Sequence, residues 1–190
     1  MMTRELKWRI IALQAMAVLV LGFCAGFLYY EASFANNFVT DQLVAQRIYF
    51  PDASQAVTGG ALDPAVYPTL QQYAGQQVDT GDKAKAYAND FIGHHLKGVY
   101  NGLTYSQVSS LASANPTDTK LAAAKTTLFQ GESLRSMLLS AWGWSQVALY
   151  AFYASIGLMP ATAIVAAALI FELVTAFRRQ PVVVAKRAIA

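Results

Sequence analysis

The sequence predicts an all-α integral membrane protein in which two transmembrane helices flank a small extracytoplasmic helical bundle domain. Two long apolar segments enclose a polar middle of about 110 residues. The excess positive charge lies in the tails outside those segments, and the middle is slightly acidic. Within the middle, apolar residues recur at three- and four-residue steps, which is typical of amphipathic helices. No alternating strand pattern of useful length occurs.

The first apolar segment, residues 10–30, contains no charged residue. Its length as a helix is about 30 Å, which matches the hydrocarbon core of a bilayer. The alternative is a secretory signal peptide, which has a shorter apolar region and a small-residue cleavage site. Bulky residues occupy the end of this segment instead, and Phe23 precedes the single cysteine, Cys24, where a lipoprotein signal needs a small residue. We therefore expect an uncleaved anchor after a cytoplasmic tail, residues 1–9.

The second apolar segment, residues 137–177, allows one long helix or a hairpin of two short spans around residues 157–160. A hairpin would export Arg178 and Arg179, against the positive-inside rule. We therefore predict one transmembrane helix over residues 144–177, kinked near Pro160 and extended outward from about residue 132. Both termini, including the tail 178–190, are then cytoplasmic.

Small residues in the spans predict helix packing. Gly22 and Gly26 are four residues apart, a spacing that lets two helix backbones approach closely. The pair could pack the two spans together, dock a partner helix, or reflect the ordinary frequency of glycine in membrane helices. Glu172 lies near the inner end of the second span, about a turn and a half from Arg178, and can reach the interface from there.

The middle, residues 31–143, predicts short helices joined by turns. We expect the first span to continue outward as far as Pro51, and residues 52–68 to form a loop. A helix should follow from about Lys83 to Gly102, capped by Asp79 or Thr80. Its apolar face is predicted to comprise Ala84, Tyr87, Ala88, Phe91, Ile92, His95 and Val99.

Two more helices follow in the prediction. Thr104 and Gln107 have the spacing of a capping box. Asn115 and Pro116 then predict a cap followed by proline at the first helical position of a third helix. Leu121, Ala124 and Leu128 line that helix, and Gly131 is expected to end it.

A search for chemistry leaves one weak metal candidate, Asp90 with His94, which lie one helical turn apart. A third ligand would have to come from elsewhere, because His94 and His95 are the only histidines. We expect His95 to be a packed core residue with a satisfied ring nitrogen. Six aromatic side chains could line a lipid or quinone cleft or simply fill the core: Tyr67, Tyr73, Tyr87, Phe91, Tyr100 and Tyr105.

Other function classes are excluded by composition. One cysteine permits neither an intramolecular disulfide nor a cysteine metal cluster. No basic residues cluster as nucleic-acid binding requires. The sequence contains neither a phosphate-binding loop nor a Gly-x-Ser-x-Gly motif. We expect no cofactor and no catalytic residue.

Four segments resemble a family of actinobacterial two-span membrane proteins: FVTDQLVAQRIYFP, GDKAKAYANDFIGHHL, TYSQVSSL and TLFQGESLRSMLLSAWGW. Members of that family often carry the name aromatic ring-opening dioxygenase. An extradiol enzyme of that kind needs a non-haem iron held by histidines and a carboxylate. His94 and His95 are adjacent and point about 100° apart on a helix, so the sequence does not supply this ligand set. We interpret the name as a misannotation.

These observations favour a non-catalytic protein of the cell membrane that acts through protein–protein interaction. It would be an accessory or assembly subunit of a larger membrane complex, such as a respiratory one, or would self-associate through its transmembrane helices. The alternatives are a protein that binds a lipid, quinone or aromatic compound, and a metal-dependent enzyme built on Asp90 and His94.

Overall fold

The computed structural model describes residues 4–178, and this part of the chain is all-helical, as predicted. Its one β-type contact is an isolated antiparallel bridge between Tyr49 and Gln77. The basic residues Arg179, Lys186 and Arg187 of the predicted tail lie outside the described residues. The α-helices are α1 (Arg4–Gln46), α2 (Gly81–Ala86), α3 (Gly93–Lys97), α4 (Tyr105–Ala114) and α5 (Thr119–Arg178).

The chain divides into two compact units. The helix-pair unit contains the described residues 4–31 of α1 and 150–178 of α5. The middle unit contains residues 32–149. Each unit has its own pattern of burial, described below.

In the helix-pair unit, α1 and α5 pack against each other in antiparallel directions. Tyr29 contacts Phe152 with ring centroids 6.2 Å apart, and Gly22 lies beside Thr162. Steps of three and four residues separate the less exposed positions, which is the spacing of left-handed coiled-coil packing. These positions include residues 11, 14, 18, 21, 25 and 28 of α1 and residues 151, 155, 158, 162, 165 and 169 of α5.

Both long helices could cross a membrane by length and composition. Their most apolar 18-residue windows are only 11% and 6% buried. Leu19, Phe23 and Ile164 are each about 70% exposed. A core helix of a water-soluble protein would instead bury most of its apolar residues.

The second apolar segment belongs to a single helix, so the hairpin alternative is wrong. Helix α5 runs from Thr119 to Arg178 and includes Pro160. Proline has no backbone donor, so the carbonyl of Ile156 has no amide partner four residues on. The predicted kink at this position stays a prediction.

Two predicted boundaries before α5 are also wrong. Asn115 ends α4, because its backbone and side-chain nitrogens both donate to the Leu111 carbonyl. Asp118 begins α5 by accepting from the amides of Lys120 and Leu121. Helix α5 therefore starts well before residue 132.

Gly131 does not break α5, contrary to the prediction. A β-carbon at this position would lie 2.5 Å from Cδ2 of Leu96. Leu96 packs directly against the helix backbone at Gly131, where a larger residue would clash with it. Its helix-weakening effect of about 1 kcal/mol is small compared with the tertiary packing of so long a helix.

Helix α1 ends sooner than predicted, at Gln46 rather than near Pro51. The next residue, Arg47, has a φ of 52°, in the left-handed region that terminates helices. The predicted loop 52–68 contains a short 3-10 turn, Ala53–Gln55, and a second such turn begins at Pro68. Asp63 organises the loop by accepting from the amides of Gly59 and Ala65. These two bonds lower the pKa of the Asp63 carboxyl.

Local capping predictions are confirmed. The Thr80 side chain accepts from the amide of Lys83 and caps α2. Thr104 and Gln107 form the complete capping box of α4, since each side chain accepts from the backbone amide of the other residue. These bonds satisfy amides that have no partner within the helix.

The middle unit contains two groups of buried apolar residues. The larger joins α1, α2, α5 and the loop, and comprises Val39, Leu43, Phe50, Leu62, Tyr67, Leu70, Val78, Ala84, Ala88 and Leu138. The smaller lies between α3, α4 and α5, and comprises Leu96, Val108, Leu121 and Leu128. The short helices are held by these contacts, since helices of this length are unstable alone in water.

Candidate functional site

A π-helical turn, Tyr87–Ile92, interrupts the predicted regular helix between α2 and α3. The amide of Gly93 donates to the carbonyl of Ala88, five residues back. Such turns are rare and frequently occur at functional sites.

The π-helical turn changes which residues are buried. Before the turn, Ala84 and Ala88 are buried, as predicted. After it, Gly93 and Leu96 are buried in place of Ile92 and His95. The step from residue 88 to residue 93 is five residues, because a π-helical turn contains more residues than an α-helical one.

His95 is therefore exposed, and its predicted place in the core is wrong. Its ring nitrogen is satisfied, as predicted, because Nδ1 lies 2.8 Å from the Phe91 carbonyl. A carbonyl only accepts, so Nδ1 is the donor in this hydrogen bond. The Tyr67 hydroxyl lies 3.4 Å from Nδ1.

Both histidines cover the ring of Tyr67, which is 7% exposed. His94 meets that ring edge to face at 5.0 Å, and His95 stacks on it at 6.0 Å. Phe91 contacts the Tyr67 ring at 5.7 Å. Burial raises the pKa of the Tyr67 phenol.

The aromatic residues predicted as a possible ligand cleft are packed against one another. Phe50 contacts Tyr73 and Tyr87, each at 5.2 Å, and Tyr87 contacts Phe91 at 5.0 Å. Tyr100 and Tyr105 pack instead against the smaller core cluster. Of these six side chains, Tyr67 is buried and the other five are half-buried.

The metal candidates Asp90 and His94 have other partners. Asp90 accepts from the Thr69 hydroxyl at 3.3 Å, and His94 packs on Tyr67. Within residues 4–178, no three His, Cys, Asp or Glu side chains converge. From the described part of the chain, Asp90 and His94 would offer a metal ion at most two ligands.

Arg135 of α5 fixes the π-helical turn. Its Nε donates to the Ala88 carbonyl at 3.0 Å, and a terminal nitrogen donates to the Asn89 side chain at 3.2 Å. The other terminal nitrogen forms an ion pair with Glu132. The Arg135 side chain is thus a second donor to the Ala88 carbonyl, which also accepts from the Gly93 amide.

Replacing Arg135 with methionine should lower the free energy of unfolding by about 1–3 kcal/mol, because the Ala88 carbonyl and the Asn89 side chain both lose a charged donor. Amide hydrogen exchange across residues 81–97 should accelerate. Glu132→Gln is the control, since it removes only an exposed ion pair, worth below about 1 kcal/mol. Equal effects of the two substitutions would contradict this role of Arg135.

A groove of about 250 Å³ lies between α1 and α5 within the middle unit. None of its lining side chains is charged. The apolar ones are Phe38, Val39, Leu43, Met137, Leu138, Ala141 and Trp144, and the polar ones are Gln42, Gln46 and Ser140. The groove could not be predicted from the sequence because its two walls are about 100 residues apart in the chain. The one sequence signal was the aromatic residue Phe38, which lies beyond the predicted first span.

A second surface patch lies between α4 and α5, and Met137 lines both this patch and the groove. The cavity of the patch, of about 410 Å³, is lined by Tyr105, Phe129, Glu132, Ser133, Ser136 and Met137. Phe129 and Met137 are 57% and 66% exposed. We refer to these six residues as the α4–α5 patch.

Gly22 and Gly26, the predicted packing pair, differ in their surroundings. A β-carbon on Gly22 would lie 3.7 Å from Thr162 Cγ2, an ordinary contact. Gly26 is exposed, with no described atom within 4 Å of such a β-carbon. Gly22 therefore adjoins α5, whereas the docking of a partner helix on Gly26 stays a prediction.

Comparison of the chain with protein-family models, with curated proteins and with solved structures finds no match.

Proposed function

We propose that the protein spans the cell membrane twice, with both termini in the cytoplasm and the middle unit on the extracytoplasmic side. The exposed apolar surfaces of the helix-pair unit support insertion, because such surfaces are stable in lipid and costly in water. The excess of basic residues in the tails supports the orientation.

Within the membrane, we propose a non-catalytic role as an accessory or assembly subunit of a larger complex. The observation on which this rests is the α4–α5 patch. Phe129 and Met137 lie in the middle unit, on the part of α5 that precedes the predicted span. Exposed apolar side chains outside the bilayer mark protein contact surfaces.

The length of α5 is the physical reason why part of its apolar surface needs a protein partner. From Phe129 to Phe177 the helix rises about 70 Å, more than twice the hydrocarbon thickness of about 30 Å. Lipid cannot cover all the apolar residues along it. A protein partner on the α4–α5 patch would cover those nearest the start of the helix.

Site-specific cross-linking in native membranes tests this proposal. A photoreactive phenylalanine at position 129 should give an adduct of defined mass, and the same residue at Thr127 should not. Thr127 is exposed on a different side of the same helix. Mass spectrometry of the adduct then identifies the partner, and an adduct at twice the mass of the chain would identify a second copy.

The proposal fails if positions 129 and 127 give the same adducts and the chain purifies from mild detergent as a monomer without a bound protein. Both readouts use the full chain, so an unstable variant is recognised by its low abundance.

A further inference from the structure

We propose that the groove between α1 and α5 binds an uncharged amphiphile, a molecule with an apolar chain or ring and a carbonyl or hydroxyl head. This goes beyond the proposed function, since it assigns a ligand to the groove, which shares only Met137 with the α4–α5 patch. Isoprenoid quinones and diacylglycerols both have this chemistry.

The charge of the lining selects an uncharged ligand. No Asp, Glu, Lys or Arg is among the ten lining residues. An ionised head placed there would lose hydration without gaining an opposite charge, which is unfavourable. A neutral carbonyl or hydroxyl needs only hydrogen-bond partners.

The polar side chains of the groove are available for that role. The side chains of Gln42, Gln46 and Ser140 make no hydrogen bond to any other residue in the part of the chain that the structure describes. Four other glutamines differ, because each donates its side-chain amide to a backbone carbonyl: Gln71, Gln72, Gln76 and Gln77. The groove thus presents two amides and one hydroxyl whose bonding capacity is not used internally.

The α1 side of the groove changes from an aromatic to a polar lining along the helix. Phe38 and Trp144 are the lining residues nearest in sequence to the predicted spans, and both are more than half exposed. Gln42 and Gln46 follow one and two turns further along α1. An amphiphile would place its apolar part on the aromatic rings and its head between the amides and Ser140.

The size of the groove limits what enters it. Its volume of about 250 Å³ equals that of roughly eight water molecules in the liquid. This accommodates one ring or a short chain segment, so the remainder of the ligand would extend along the exposed faces of the two helices.

Binding can be measured on the purified full chain by quenching of tryptophan fluorescence with decylubiquinone. Dioctanoylglycerol serves as an uncharged competitor and decanoate as a charged one. We expect saturable quenching that the diacylglycerol competes with and decanoate does not. The relative affinities of decylubiquinone and dioctanoylglycerol show whether the groove prefers a quinone or a diacylglycerol.

Substitutions at the groove give matched comparisons. Ser140→Phe should fill the groove and raise the Kd by at least about tenfold, whereas Ala123→Phe, an equal enlargement at an exposed position of α5, should change it by less than about twofold. Gln42→Leu removes one hydrogen bond and should raise the Kd about fivefold. Ser140 and Gln42 are exposed, so unchanged thermal melting is expected and is checked.

Equal affinities of Ser140→Phe and Ala123→Phe would overturn the proposal, as would decanoate binding as well as the uncharged probes. A third contrary result is that Ser140→Phe alters the oligomeric state while decylubiquinone binding is unchanged. The groove would then be a contact between copies of the chain.

Discussion

Replacing Leu138 with alanine is expected to lower the free energy of unfolding of the middle unit by about 2–5 kcal/mol. Leu138 is 1% exposed and belongs to the larger core cluster, where α5 meets α1 and the loop. Truncation removes apolar contacts and leaves a cavity among residues that cannot fully collapse into it. The change is measured by chemical denaturation in detergent, monitored by the near-ultraviolet circular dichroism of the packed aromatic side chains.

The neighbouring residue provides the control for this prediction. Met137 is 66% exposed, so Met137→Ala removes a similar volume without opening a core cavity. Its effect should stay within about 0.5 kcal/mol. If Leu138→Ala and Met137→Ala lowered the free energy of unfolding by similar amounts, Leu138 would not belong to the core of the middle unit.

Features that depend on neighbouring residues could be predicted from the sequence. The capping box of Thr104 and Gln107 and the cap at Thr80 were predicted because a cap is a bond between residues two or three apart. The two long apolar helices were predicted because composition alone defines them.

Features that depend on tertiary contacts were missed. Gly131 has the local signature of a helix end, but the packing of Leu96 against it overrides that preference. The π-helical turn has no sequence signature of its own. It is stabilised by Arg135, which lies 47 residues from Ala88 in the chain.

The same distinction applies to the candidate sites. Asp90 and His94 were singled out by their spacing, but spacing does not reveal that Thr69 and Tyr67 contact them from another segment. The groove combines residues from two helices far apart in sequence, and the α4–α5 patch combines residues from two consecutive helices. No pattern within one segment could have located them.

Introducing an arginine at Leu19 tests the membrane assignment, on which both proposals depend. Leu19 is 73% exposed and lies near the centre of the predicted first span. In a bilayer this substitution should cost about 2.5–3.5 kcal/mol of insertion free energy. We therefore expect Leu19→Arg to reduce severely the fraction of chain that resists alkaline extraction from membranes.

Asn37→Arg is the matched control, because it adds the same charge at an exposed position of the same helix, seven residues beyond the predicted span. It should leave the extraction-resistant fraction unchanged. A water-soluble protein would respond in the opposite way, since replacing an exposed leucine by arginine removes an apolar surface from water and favours solubility. If Leu19→Arg increased the yield of soluble, folded chain, the exposed apolar surfaces of the helix-pair unit would have to be covered by another protein and not by lipid.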